Sequence, residues 1–67
     1  MLEFIPVKFA WSRSGAGSKA REILERGFSA KIVEEKRGYV VERSLVRQGN
    51  PIIILPEGLV IEEREVK

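Results

Sequence analysis

The sequence predicts a small α+β domain in which one short helix packs on an antiparallel sheet of about five strands. Three observations support this. The chain has 67 residues, enough for a single domain over residues 1–67. Apolar and polar side chains alternate near the N-terminus, which indicates a strand. After one helical segment, Gly, Pro and Asn turns divide the remainder into short apolar runs. The predicted order is β-α-β-β-β-β, and a small β-barrel with one helix is the alternative.

The first predicted strand covers residues 2–11. Pro6 lies inside it and cannot donate a hydrogen bond to a neighbouring strand, so we expect an edge strand or a bulged one. Its alternating apolar side chains share one face: Ile5, Val7, Phe9 and Trp11.

A loop of small residues follows over residues 12–18. Ser18 is then the predicted N-cap of a helix of about ten residues, and Gly27 is the residue that ends it. Ala20, Ile23 and Leu24 share one side of this helix. A helix so short is not stable alone in water, so it must pack on the sheet.

Four more strands are predicted, with a tight hairpin turn at residues 36–38. Their ranges are 29–35, 39–46, 51–55 and 59–65. Apolar side chains on both faces of these strands exceed what one helix can cover. The second face must therefore close into a barrel or pack against another subunit, and we expect a homodimer through that face.

The composition excludes most enzyme chemistry. The sequence has no Cys, His, Asp or Thr, so disulfides, thiolate metal sites and imidazole acid–base catalysis are absent. The serines near Lys19 match no nucleophile motif, and the glutamates of 34–35 and 62–65 do not converge on one point. We expect no enzyme activity, no cofactor and no metal. The charged side chains are all Glu, Lys or Arg, a usage typical of hyperthermophilic proteins.

The small-residue loop is the sharpest candidate site. It leads from a strand to a predicted helix N-terminus, where free N–H groups favour an anion such as phosphate. Its glycine spacing is not that of the P-loop, and a flexible strand-to-helix connection is the alternative. Trp11 could stack on a base or belong to the core. The predicted binding residues are Trp11, Arg13, Ser14, Gly15, Gly17, Ser18, Lys19 and Arg21.

A second basic patch is predicted around the hairpin. A two-stranded ribbon with a basic tip can enter a nucleic-acid groove, although interleaved glutamates also fit a solvated face. The residues of this patch are Lys31, Lys36, Arg37 and Arg43.

The sequence thus favours a non-enzymatic module that binds nucleic acid or phosphate through a basic Gly/Ser loop. The alternative is a homodimeric protein-interaction or assembly module with no nucleic-acid role. A further protein partner is possible in either case. No signal peptide or apolar run long enough to cross a membrane is present, so a cytoplasmic location without membrane contact is expected.

Overall fold

The computed structural model describes residues 2–62 and confirms one helix packed on five strands. The predicted last strand continues to Glu65, and its part beyond residue 62 lies outside the described residues. The elements in chain order are β1 (Phe4–Ala10), α1 (Arg13–Glu25), β2 (Ala30–Glu35), β3 (Gly38–Ser44), β4 (Ile52–Ile54) and β5 (Val60–Glu62).

The sheet is mixed, which corrects the prediction of a purely antiparallel sheet. Its strand order is β1-β3-β2-β4-β5, and β4 runs parallel to β2 while the other pairs are antiparallel. The reason is that β1 pairs with the edge of β3 that faces away from β2. The chain leaving β3 must therefore cross the end of the sheet to reach the free side of β2, and it arrives there running parallel to β2.

Two buried serines hold this crossing in place. The Ser44 hydroxyl accepts a hydrogen bond from the Ser29 N–H at 3.0 Å and donates to the Val46 carbonyl at 2.8 Å. The Ser29 hydroxyl accepts from the Ile52 N–H at 3.1 Å. Both side chains are fully buried. The serines thus pair backbone groups that the change of strand neighbours would otherwise leave without partners.

The barrel alternative is wrong, because the sheet is open. Among residues 2–62, β1 and β5 form opposite edges and do not pair with each other. The predicted irregularity in the first strand is confirmed: the β1–β3 register shifts between Pro6 and Lys8, which leaves Val7 as an extra residue. A proline and a bulge on an edge strand hinder the addition of a further strand.

Helix α1 begins six residues earlier than predicted. Ser12, not Ser18, is the N-cap, and its hydroxyl accepts from the Gly15 N–H at 3.0 Å. Two glycines disfavour a helix locally, but tertiary packing offsets this preference. Ala16 is fully buried, and a Cβ on Gly15 would lie 3.6 Å from the Ala10 side chain. Small residues thus allow the first turns of the helix to approach the sheet closely.

The predicted end of the helix is confirmed. Gly27 has a φ of 89°, a left-handed conformation that glycine adopts without strain. The Gly27 N–H donates to the Leu24 carbonyl at 2.9 Å, and the Phe28 N–H donates to the Ile23 carbonyl at 3.2 Å. This pair of bonds is the Schellman motif, which turns the chain sharply into β2.

The hydrophobic core lies between α1 and one face of the sheet. It contains nine buried hydrophobic residues, of which four are alanines, and none is aromatic. Phe28, Tyr39, Leu55 and Ile61 are half-buried around it. We call this side of the sheet the covered face.

The other side of the sheet has no helix on it among the described residues, and we call it the open face. Trp11 is 77% exposed and lies beside it, with its ring edge-to-face against Phe9 at 4.8 Å between centroids. The interpretation of Trp11 as a core residue is therefore wrong. The alternation of each strand assigns these apolar residues to this face: Phe9, Val33, Val40, Ile52, Ile54 and Val60.

Candidate functional site

The predicted anion loop is not a loop, because its residues form the first two turns of α1. The N–H groups of Ala16, Gly17 and Ser18 lie inside the helix, where each donates to the carbonyl four residues earlier. The Gly15 N–H is taken by the Ser12 hydroxyl. All the backbone donors predicted to surround an anion, those of residues 15–18, are therefore already used.

The first cation of the predicted site is already paired. The Arg13 Nη2 group donates to both carboxylate oxygens of Glu57, at 2.5 and 2.7 Å. This hydrogen bond lowers the pKa of Glu57 and raises the pKa of Arg13. Glu57 belongs to the turn between β4 and β5, so the pair ties that turn to the start of α1. Arg13 therefore offers less charge to a ligand than the sequence suggests.

The other two cations of the predicted site do not converge. Lys19 and Arg21 are two residues apart on a helix, which separates their directions by about 200°. Arg21 lines a small groove of about 310 Å³ together with Ser14, Gly17 and Ser18 and apolar residues of the sheet. Lys19 lies on the opposite flank of α1. The predicted cluster of Arg13, Lys19 and Arg21 is thus dispersed over the helix.

The second predicted patch is also dispersed. Lys36 and Arg37 form the turn between β2 and β3, whereas Arg43 lies near the far end of β3, about 20 Å away along the strand. Arg43 is the register partner of Ala30, a buried residue of the covered face. Lys31 follows Ala30 and points to the open face. The sequence placed Arg43 with the wrong neighbours.

Arg43 instead belongs to a groove of about 690 Å³ between the C-terminal half of α1, β1 and the end of β3. Glu22 and Glu25 supply two carboxylates on its helix side. Four cations also line it, so the positive groups are in excess. We define the basic groove by these cations and the one aromatic residue: Lys8, Arg26, Phe28, Arg43 and Arg47.

Two of these cations are held around one aromatic ring. The guanidinium carbons of Arg43 and Arg47 lie 4.4 and 5.0 Å from the centroid of Phe28. The Nε–H of Arg43 donates to the Ser44 carbonyl, and that of Arg47 donates to the Arg26 carbonyl, both at 3.0 Å. These contacts fix the planes of both guanidinium groups.

The outer nitrogens of these two arginines are the groups that a ligand could use. Among the described residues, Arg13–Glu57 is the only ion pair within 4.0 Å. Arg43 and Arg47 each donate a hydrogen bond from Nε and none from their Nη groups to this part of the chain. Two positive charges are thus gathered at one ring without a carboxylate between them. An oxyanion in the groove would accept from the Nη groups and relieve their repulsion.

Sequence reasoning missed Arg47, Arg26, Lys8 and Phe28 as members of this site. The prediction left Arg47 in the connection between two strands and Phe28 between the helix and the next strand, so neither was considered as a site residue. One signal was present: Gly27 predicted a helix stop, which forces the next residue to fold back onto the last turn. That residue is Phe28. Arg43 reaches it through the register of β2 and β3, and Arg47 through the connection after β3, where the Gln48 N–H donates to the Gly27 carbonyl at 2.8 Å.

The described part of the chain shows no sign of other site chemistry. In residues 2–62, no group of three acidic, His or Cys side chains could hold a metal ion. Every buried side-chain nitrogen or oxygen in this part has a hydrogen-bond partner. No helix in it is long and apolar enough to cross a membrane. The glutamates at positions 63 and 65 lie outside the described residues.

The comparisons with known proteins give no relative: no family model, curated protein or solved structure matches the chain.

Proposed function

We propose that the protein is a non-enzymatic nucleic-acid-binding module that holds the phosphate backbone in the basic groove. The observation that carries the proposal is the pair of guanidinium groups at Phe28, which are fixed by backbone carbonyls and form no ion pair within 4.0 Å among the described residues. We propose a cytoplasmic location on the same ground, because nucleic acid is the proposed ligand.

Phosphate is the anion that these donors fit best. A guanidinium group presents its N–H donors in a rigid plane that matches two oxygens of a phosphate. Because Phe28 and the carbonyls already hold both planes, little side-chain entropy is lost when a phosphate binds. Lys8 and Arg26 extend the cationic surface along the groove. A chain of phosphates can engage several of these cations at once, which favours a polymer over a single small anion.

The proposal is tested by titrating the protein into fluorescently labelled single-stranded RNA, single-stranded DNA and duplex DNA. Anisotropy is measured from about 50 to 200 mM salt, where phosphate-driven binding weakens steeply. We expect binding of at least one of these nucleic acids at the lowest salt. We expect the double variant Arg43→Gln/Arg47→Gln to reduce the salt slope by about 2, since each lost contact removes about one unit.

A matched control removes the same charge from another place. The variant Lys36→Gln/Arg37→Gln also loses two cations, but both lie at the exposed hairpin turn. We expect it to keep most of the wild-type affinity. The variant Arg43→Lys/Arg47→Lys keeps the charge but loses the planar donors, and we expect intermediate binding. Far-UV circular dichroism checks that each variant folds. Absence of binding to all three nucleic acids, or equal losses in the groove and turn variants, would contradict the proposal.

A further inference from the structure

The open face presents apolar side chains from all five strands to solvent. Its central row is Phe9, Val40 and Val33, which are register partners on β1, β3 and β2. Ile54 and Val60 continue the apolar surface onto β4 and β5, where they are also register partners. Phe9 is 43% exposed and Val60 is 50% exposed. A contiguous apolar surface of this kind marks an interaction site.

The distribution of side-chain size adds to this argument. Within residues 2–62, the largest fully buried hydrophobic residues are Ile32 and Val41, whereas Trp11 and Phe9 lie on or beside the open face. Aromatic side chains dominate the energy of cores and interfaces because each buries about 150–250 Å². In a single copy, Trp11 and Phe9, whose burial would contribute the most free energy, are therefore left exposed.

The charges of the open face favour a second copy of the chain over an anionic partner. Lys31, Glu35 and Glu42 share this face, so the described charges are mixed and nearly balanced. A nucleic acid or an anionic membrane would find no cationic surface here. Lys31 and Glu42 are register partners on the two middle strands of the face. A two-fold axis parallel to the strands, between β2 and β3, places Lys31 of each copy opposite Glu42 of the other.

The same axis also brings apolar residues of the two copies together. It places β1 of one copy opposite β4 of the other, so Phe9 on β1 faces the strand that carries Ile52 and Ile54. Association through the β1 edge is hindered by Pro6 and by the bulge at Val7. Face-to-face packing of two sheets at about 10 Å, with strands nearly aligned, instead buries the apolar side chains of the open face.

The area of the face fits a weak, reversible dimer. The axis overlays β1, β3, β2 and β4 of the two copies, and these strands have 7, 7, 6 and 3 residues. At about 3.3 Å per residue and about 4.8 Å between strands they give about 360 Å² from each copy, or about 700 Å² for both, in the range of weak and transient contacts. An interface of this size depends on each of its apolar residues, so a single buried charge should disrupt it.

We propose that the open face is the interface of a two-fold symmetric homodimer in which two sheets pack face to face. The proposal does not depend on the nucleic-acid proposal, because the basic groove lies on the other side of the sheet. A dimer of this form leaves both grooves open to solvent.

Sedimentation equilibrium of the full chain, from micromolar to millimolar protein, tests the proposal. We expect the dimer mass at the upper end of this range. The emission of Trp11, the only Trp of the sequence, should shift to shorter wavelength over the same range as its indole leaves water. The variant Val33→Lys puts a charge at the centre of the face and should weaken dimerisation by at least about tenfold.

The matched control is Val46→Lys, the same substitution at a 63% exposed residue that follows β3 outside the sheet. We expect it to dimerise as the wild type does. If circular dichroism shows that Val33→Lys is unfolded, Phe9→Lys decides, because Phe9 lies on a strand that faces the other copy and is 43% exposed in the single copy. A wild-type chain that stays monomeric at millimolar concentration overturns the proposal. So does a Trp11 shift seen only with phosphatidylcholine vesicles, which would assign the face to a lipid surface. Equal weakening by Val46→Lys and the face variants also overturns it.

Discussion

The two faces of the sheet differ in the size of their side chains more than in their hydrophobicity. The contact between α1 and the covered face contains the four alanines of the sequence, two on the helix and two on the strands, beside Ile32, Val41 and Ile53. The open face carries Phe9, valines and isoleucines and no alanine. A helix can approach a sheet closely only where side chains are small. The aromatic Phe9 therefore lies on the face where a flatter partner could interdigitate with it. If the proposed dimer forms, the stability of the single chain and its association depend on different sides of one sheet.

The largest expected effect tests this contrast on two adjacent residues. Ile32 is buried on the covered face, and Val33 is half-buried on the open face. We expect Ile32→Ala to lower the free energy of unfolding by about 3 kcal/mol, because it leaves a cavity against α1. Val33→Ala should cost less than about 1 kcal/mol. Urea unfolding at a concentration where the chain is monomeric measures both. Equal costs would show that the two faces are equally important to the single chain.

Gly38 tests how tightly the open face is packed around β1. A Cβ at this position would lie 2.6 Å from both the Ala10 carbonyl oxygen and the Phe9 ring. We expect Gly38→Ala to cost about 2 kcal/mol, because the backbone of β1 at Ala10 and the Phe9 ring must both shift away from the hairpin. Gly49→Ala is the control, since nothing lies within 4 Å of a Cβ there. Thermal unfolding of the two variants compares them directly. A Gly38→Ala variant as stable as Gly49→Ala would mean that Phe9 is not held over the hairpin.

Ser44 tests the crossing that places β4 beside β2. Ser44→Ala leaves the buried N–H of Ser29 without its hydroxyl acceptor. An unsatisfied buried donor costs about 1–3 kcal/mol, and we expect about 1.5 kcal/mol. The exposed Ser18 provides the matched control, where the same substitution should be nearly neutral. Hydrogen exchange at Ser29 should accelerate in Ser44→Ala. Unchanged exchange there would argue against a role for Ser44 in the crossing.

The smallest effect concerns the Arg13–Glu57 pair at the rim of the covered face. The hydrogen bond from Arg13 lowers the pKa of Glu57 in the folded chain. Its contribution to stability is therefore present above the unfolded pKa and is lost as pH falls through the folded pKa. Because both side chains are exposed, the change in stability should be small. An NMR titration should show that Arg13→Gln raises the pKa of Glu57 and that Arg21→Gln does not. A pKa of Glu57 unchanged by Arg13→Gln would contradict the pairing.

Local patterns predicted the strands, the irregularity at Pro6 and the end of the helix at Gly27. The start of the helix was not predictable from propensity, because the fit of Gly15 and Ala16 against the sheet decides it. The parallel direction of β4 was not predictable either. It depends on which side of the β2–β3 hairpin β1 occupies, and that choice is made by residues far away in the sequence.

The candidate site was harder to predict than the fold. Grouping cations by sequence distance joined Arg43 to Lys36 and Arg37, which the structure separates by most of the length of β3. The same reasoning could not see that Arg13 is paired with Glu57, a residue at the other end of the chain. Which charged side chains of a sheet lie close together depends on the register of its strands, and that register is set by contacts between residues far apart in the sequence.

The strand order has a consequence for the synthesis of the protein. Phe9 pairs with Val40, so β1 and α1 are synthesised before β3, the strand against which they pack. At about 5–20 residues per second, the ribosome needs about two to six seconds to add the residues between them. During that interval Phe9 and Trp11 belong to a growing chain without a sheet. We therefore expect the N-terminal third of the chain to be the part that chaperones contact, and the hairpin of β2 and β3 to be the first piece of the sheet to form.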